Sequence, residues 1–250
     1  MKERAGLYVH IPFCRSKCRY CDFFSVTGSS LEQSYIQALG QEIHQKRVFD
    51  LTFDTLYLGG GTPSILERAQ LSKMIEAIFA GFAFTENHEV TIEANPGTVT
   101  RTKLNAYLQM GINRINIGVQ SFHDSRLSFL GRCHTALEGL SALDEARAAG
   151  FRNIGLDLII GVPGQDLQEV ESDLEQALSF HPEHLSCYML SYEPGAPFDR
   201  MRKNGQITPL DEECVGDMYE LLCEFLDDQG YEHYEVSNFA RRDTRGGAGL

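Results

Sequence analysis

The chain has 250 residues, 42% of them hydrophobic, and a formal net charge of −13. That length can bury a real core as one large or two modest domains. The acidic balance argues against a phosphate-backbone binder, since the clusters CRSKCR and ARRDTR are both short, and no apolar run approaches the roughly 18 residues of a membrane span. The opening MKERAGLYVHIPF is too short in apolar length for a secretory signal, so a cytoplasmic location is expected. Seven cysteines in a chain without an export signal favour metal or cluster ligation over a disulfide framework.

Six strand-length apolar runs follow in order: LYVHI (7–11), DTLYLGG (54–60), EVTIEA (89–94), RINIGVQ (114–120), NIGLDLIIG (153–161) and HLSCYML (184–190). They are rich in β-branched or aromatic residues and end in Gly, Pro or polar turns. Helical periodicity covers residues 31–47, 68–82, 100–111, 136–150, 166–180 and 211–230, with Gly111, Gly150 and Gly230 where helix-ending glycines belong. Strict alternation predicts an α/β fold, a parallel sheet with outer helices that curls into a barrel or stays open. The polar and glycine residues gather at the strands' C-terminal ends, as on the active rim of a barrel. YEHYEV (231–236) starts as a further strand, and the remainder is loop-like.

The first rim segment, HIPFCRSKCRYCDF, holds Cys14, Cys18 and Cys21 at C-x3-C-x2-C spacing. Buried structural cysteines fit poorly among Arg15, Lys17 and Arg19. A zinc site wants four ligands, so His10 or Asp22 would have to complete it. A [4Fe–4S] cluster has four irons, so three thiolates leave one open to a further ligand, and the neighbouring cations would offset its negative charge. Cys133, Cys187, Cys214 and Cys223 are scattered and read as ordinary small, buried or half-buried residues. His10 and His134 lack metal-ligand spacing.

C-x3-C-x2-C with Tyr20 before the last cysteine resembles the signature of the radical SAM superfamily. GGGTP, EANP, GVQSF and LGRCHT follow in matching order. Within that superfamily, LYVHIPFC, GGGTPS, TIEANPG, GVQSF and GLDLIIGVPGQ are in the style of the branch holding oxygen-independent coproporphyrinogen III oxidase and the heme chaperones. The resemblance covers roughly residues 7 to 240. It implies a partial (β/α)6 barrel as the core domain (1–240), a [4Fe–4S] cluster on Cys14, Cys18 and Cys21, and S-adenosylmethionine (SAM) on the vacant iron. Reductive cleavage to a 5′-deoxyadenosyl radical is the chemistry implied, and whether SAM is turned over stays open. Gly60 and Gly61, beside Gly59, would let backbone approach SAM. Glu93 would bond its amino group or ribose, and Tyr8 would contact it. Tyr20, Thr62, Gln120, Arg132 and Asp157 match residues that contact SAM in the oxidase, some at a second SAM.

Two departures point to the heme chaperones. The oxidases carry a fourth cysteine two residues after the third, where this chain has Phe23. They also have an N-terminal extension, whereas the first cluster cysteine here is residue 14. The implied cargo is heme and the implied partners are a heme-accepting protein and a reductase or flavodoxin-type electron donor, with no nucleic acid and no obligatory membrane span. Porphyrinogen oxidation is the alternative. The chaperones continue beyond SNFAR into His-Asn-x-x-Tyr-Trp and a C-terminal domain. This sequence gives RDTRGGAGL, contains no Trp, and is expected to have a divergent tail (241–250) and to carry heme poorly.

Overall fold

In each central strand, apolar and polar residues alternate, and the two faces therefore meet different surroundings. The computed structural model describes residues 4–28, 30–46 and 51–242. The elements are β1 (Arg4–Ile11), β2 (Phe13–Cys14), β3 (Val26–Thr27), α1 (Glu32–Lys46), β4 (Thr52–Gly60), α2 (Arg68–Gly81), β5 (Ala83–Ala94), α3 (Arg101–Gln109) and β6 (Arg114–Gln120). They continue with α4 (Asp124–Leu130), α5 (Ala136–Ala149), β7 (Asn153–Ile160), α6 (Leu167–Leu178), β8 (His184–Met189), α7 (Pro197–Lys203), α8 (Glu212–Asp228), β9 (Tyr231–Glu235) and β10 (Asn238–Arg241).

The main sheet has the order β1-β4-β5-β6-β7-β8-β10-β9. Its first six strands are mutually parallel, and β10 runs antiparallel to both β8 and β9. This is the curled half-barrel of six parallel strands that the alternation predicts, extended by a hairpin at one edge. On one face Leu56, Leu58, Ile92, Ile115, Ile117, Leu156, Leu158 and Leu185 join a core with helix residues such as Leu71, Leu104, Leu143, Leu174 and Leu222. On the other face Tyr57, Thr91, Glu93, Asn116, Asp157 and Ser186 line one cavity.

The six predicted helices are all present with ends within two residues. Gly111, Gly150 and Gly230 take positive φ at or just beyond their helix ends, as expected. Two helices and the final hairpin pairing were not predicted. α4 and α7 have seven residues each, too short to display a periodic face. β5 begins six residues before the predicted start, because Ala83 and Phe84 pair with Thr52 and Phe53. The expected divergent tail lies, from residue 243 onward, outside the described residues.

One buried carboxylate fixes the turn after β6. Asp173 on α6 is 3% exposed, accepts the Phe122 N–H at 2.7 Å and lies 3.7 Å from His123 Nε2. Burial raises its pKa, with the Phe122 amide and Ser121 hydroxyl opposing that shift. Asp173→Ala would leave the amide without its acceptor and should lower unfolding free energy by about 1–3 kcal/mol, measured by urea denaturation. A loss smaller than the experimental error would mean the GVQSF turn is held by something else.

Candidate functional site

The three-cysteine loop is tethered at its base. β2 pairs with β3 through Phe13↔Val26 and Cys14↔Thr27, and Val26 N–H donates to Pro12 O at 2.7 Å. Phe13 is buried and packs edge-on against Tyr35. The glycine segment after β4 continues the pairing: Gly61 N–H donates to Ile11 O at 2.8 Å and Thr62 N–H to Phe13 O at 2.7 Å. The cysteine loop and the glycine motif are therefore one backbone unit.

Arg15 and Arg19 are used differently from the expectation. Arg15 donates to Gly97 O at 3.0 Å and Arg19 to Phe129 O at 3.1 Å, so both dock the loop onto the rim. Lys17 stays near Cys21, where its charge opposes the upward push of burial on that thiol. The cation that reaches a thiol is Arg132, whose Nη1 lies 3.6 Å from Cys18 Sγ and 3.3 Å from the Tyr20 hydroxyl. On the other side the Thr62 hydroxyl donates to Cys14 Sγ at 3.5 Å.

All three thiols are free and half-buried. They line a cavity of about 1030 Å³ together with Tyr20, Gly60, Gly61, Thr62, Glu93, Gln120, Arg132 and Asp157. Tyr8 is the one expected contact that does not line it. It is 53% exposed on β1, the sheet's edge strand, and stacks on Tyr57 at 6.0 Å, which does line the wall. His10 is likewise outside the cavity lining, with Nε2 2.8 Å from Phe24 O. His134 is buried, and its Nε2–H donates to Val119 O at 3.0 Å. Among the described residues no three His, Cys, Asp or Glu side chains are grouped as they would be around a single metal ion. A cubane offers a separate iron to each thiolate and needs no such convergence.

The glycines are required by the close packing around those thiols. A Cβ on Gly61 would lie 2.7 Å from Phe13 O and 3.0 Å from Cys14 Sγ, and one on Gly60 (φ +116°) would lie 2.7 Å from the His10 ring. A side chain at Gly61 would displace the loop backbone, and one at Gly60 would displace the His10 ring and sit at a φ that favours glycine. Glu93 holds this ridge from below: it accepts from the Tyr57 hydroxyl at 2.9 Å and from Gly60 N–H at 3.0 Å. Burial, and then the charge of Asp157, push its carboxyl up to about 7. Burial also raises Asp157, which accepts from Asn116 Nδ2 at 2.8 Å. Gln120 is buried and takes a left-handed φ of 72° where the β6–β7 register shifts. A non-glycine residue in that conformation stores strain, and here it turns the end of β6 at the cavity.

Several wall residues were missed from sequence: Asn95, Asn116, Tyr57 and Tyr188 line the same cavity. Strand alternation is the signal that could have found Asn116, Tyr57 and Tyr188, since each lies two residues from another inward-facing position. Cys133 and Cys214 are exposed rather than buried, while Cys187 is buried and Cys223 half-buried, as expected. Cys214 sits in the first turn of α8, donating its backbone N–H to Asp211. Cys133 lies beside the loop with Sγ 2.8 Å from Ser16 Oγ.

Comparison with known proteins gives three results. The heme chaperone HemW of Lactococcus lactis is 38% identical over 241 residues, covering 96% of this chain and 63% of that protein. HemW of Escherichia coli is 37% identical over 242 residues, covering 94% and 62%. The coproporphyrinogen III oxidase HemN of Escherichia coli, a radical SAM enzyme, superposes with a TM-score of 0.86 at 28% identity, over 97% of this chain and 56% of that one. The chain thus spans less than two thirds of these relatives. Residues 8–177, more than half of its length, match the Radical SAM superfamily profile, and with the cysteine loop standing at the mouth of a polar half-barrel, this chain belongs to the radical SAM superfamily.

Proposed function

We propose that the chain is a heme chaperone of the radical SAM type, holding a [4Fe–4S] cluster on Cys14, Cys18 and Cys21, binding SAM beside it and passing heme to an acceptor protein. The observation that carries the cofactor reading is a set of three free thiols at the mouth of one cavity, facing a glycine ridge. The heme reading rests on the similarity to heme chaperones across 94–96% of the chain. When bound, the cluster supplies one electron to the sulfonium of SAM. The protein's own part is to hold and orient. Thr62 and Arg132 donate to the sulfurs of Cys14 and Cys18, Gly60 and Gly61 present backbone to the methionyl end along the cavity wall, and Glu93 offers a carboxylate to its ammonium.

The comparison with the oxidase structure favours a second reading, oxidative decarboxylation of coproporphyrinogen III. Against it stands Phe23, which occupies the oxidases' fourth-cysteine position and is 67% exposed.

After anaerobic reconstitution, Cys14→Ala, Cys18→Ala and Cys21→Ala should each abolish the iron–sulfur absorbance and Cys133→Ala should retain it. An equal loss from Cys133→Ala would overturn the ligand assignment.

Glu93 pairs its charge with an ammonium only when ionised; the protonated acid keeps acceptor oxygens but no charge. Below its pKa of about 7 the protonated form dominates. SAM affinity should therefore rise from pH 6 to pH 8, by up to about tenfold per unit below pH 7. Glu93→Gln should bind weakly with a flat profile. Isothermal titration reads this directly, and equal wild-type affinity at the two pH values removes Glu93 from the role.

With reconstituted cluster, SAM and reductant, the protein should release no CO2 from coproporphyrinogen III, while heme should transfer to an apo-acceptor in a spectrophotometric assay. Detection of protoporphyrinogen IX would promote the oxidase reading, and absence of any heme transfer would count against the chaperone.

A further inference from the structure

Asn95 occupies the N-cap of the 3-10 turn Pro96–Thr98, yet its side chain makes no capping bond. An asparagine there ordinarily accepts from the backbone of the turn it starts. Its main chain is satisfied by other groups. The Thr98 hydroxyl donates to Asn95 O at 2.7 Å, Thr98 N–H reaches the same oxygen at 2.9 Å, and Asn95 N–H donates to Ser64 Oγ at 3.3 Å. Ser64 and Thr98 are themselves buried and 2.6 Å apart. The backbone of Asn95 is pinned, and its amide is free to serve something else.

That amide joins the two donors that reach the cysteine loop. Asn95 Nδ2 donates to Thr62 Oγ1 at 3.3 Å, and Asn95 Oδ1 accepts from Arg132 Nη2. Thr62 passes its own hydroxyl hydrogen to Cys14 Sγ, and Arg132 directs Nη1 to Cys18 Sγ. Arg132 Nη2 is further fixed by Gly118 O at 2.6 Å. One line of hydrogen bonds therefore runs Cys14–Thr62–Asn95–Arg132–Cys18. Its centre must donate on one side and accept on the other. An amide does both, whereas a carboxylate lacks the donor and an aliphatic side chain lacks both.

Hydrogen bonds to ligating sulfurs help set the reduction potential of an iron–sulfur cluster. Each donor partly neutralises charge that reduction adds. We propose that Asn95 is a positioning residue that aims Thr62 and Arg132 at the sulfurs of Cys14 and Cys18, and thereby holds up the reduction potential of the cluster they carry. The proposal rests on the cluster reading above.

The test is a redox titration followed by EPR on reconstituted wild type, Asn95→Ala, Thr62→Val, Thr62→Ser and the double variant Asn95→Ala/Thr62→Val, with iron content and circular dichroism measured on each. Asn95→Ala should hold its cluster but lower the ratio of reduced to oxidised form about tenfold at a given ambient potential, equivalent to about 59 mV for one electron. Thr62→Val should shift it the same way by less. Thr62→Ser, which keeps the hydroxyl, should match wild type. The double variant should shift little beyond Asn95→Ala, because Asn95 acts through Thr62, whose hydroxyl is already misdirected once Asn95 is lost; a purely structural residue would not show this coupling. If Asn95→Ala does not fold, Asn95→Ser keeps a polar group on the same backbone but cannot span both partners, and it must show the same drop. An unchanged potential in the variant that folds, or fully additive shifts, overturns the proposal. A wild-type chain that takes up no [4Fe–4S] cluster overturns the reading beneath it and the proposal with it, whereas a normal cluster insensitive to Asn95 overturns the proposal alone.

Discussion

The parallel strands of this sheet bury most of their apolar side chains on one face, with Ile159 in a smaller cluster on the other, and the site follows from that constraint. Helices cover the outer face, where Leu56, Ile92, Ile117, Leu156 and Leu185 are fully buried. Area burial of this kind stabilises by roughly 25 cal/mol per Å². The inner face cannot share that core, because it carries Thr91, Glu93, Asn116 and Asp157 at the alternate positions. The curl brings these polar positions together around one cavity. A closed, side-chain-filled barrel interior of the usual kind is replaced by a polar lumen with room for ligands.

Burying polar groups is costly unless they are paired, and most of the lumen is laddered accordingly. At the strands' N-terminal end Arg114 lies 3.9 Å from Glu89, while Asn153 donates to the same carboxylate at 3.2 Å. Nearer the cysteines, Asn116 serves Asp157 and Tyr57 with Gly60 serves Glu93. The exceptions are spread from end to end, beginning with His184 Nδ1 at the start of β8. Asn116 Oδ1 and Arg132 Nε are buried without a protein partner, and Gln120 holds a strained left-handed backbone. Incomplete pairing and strain of this sort are tolerated where a ligand or a function compensates.

The cysteine loop depends on the rim as much as the rim depends on the sheet. The loop that carries the thiols, with Cys21 pushed up first by burial and also by the other two thiols, draws its scaffold from several strand ends. The glycine motif provides backbone contact, Gly97 and Phe129 accept the loop's arginines, and Arg132 brings the positive charge. The contributions come from the connections after β4, β5 and β6, as in other barrels whose sites are assembled at the C-terminal ends of the strands.

Periodicity and local chemistry made much of this legible in advance. Six strands, six helices, the rim location and the three-cysteine loop are local properties: alternation of two, repeats near 3.6, and three thiols within an eight-residue stretch. Short helices such as α4 and α7 escaped because two turns carry too little pattern. The identities of the groups that touch the thiols were a different matter. Arg15 and Arg19 adjoin the cysteines in sequence but donate to distant carbonyls, while Arg132, more than a hundred residues away, reaches Cys18. Tyr8 matches a motif yet lies on an edge strand beside the cavity rather than in it. Asn95 looked like one residue of a turn until the fold set Thr62 and Arg132 on either side of it. The chain by itself determined which residues are chemically able to ligate, donate or approach closely. Only the tertiary structure decided which of them meet, because those contacts are made between separate strand ends, and their spacing is set by the curl of the sheet rather than by any distance along the chain.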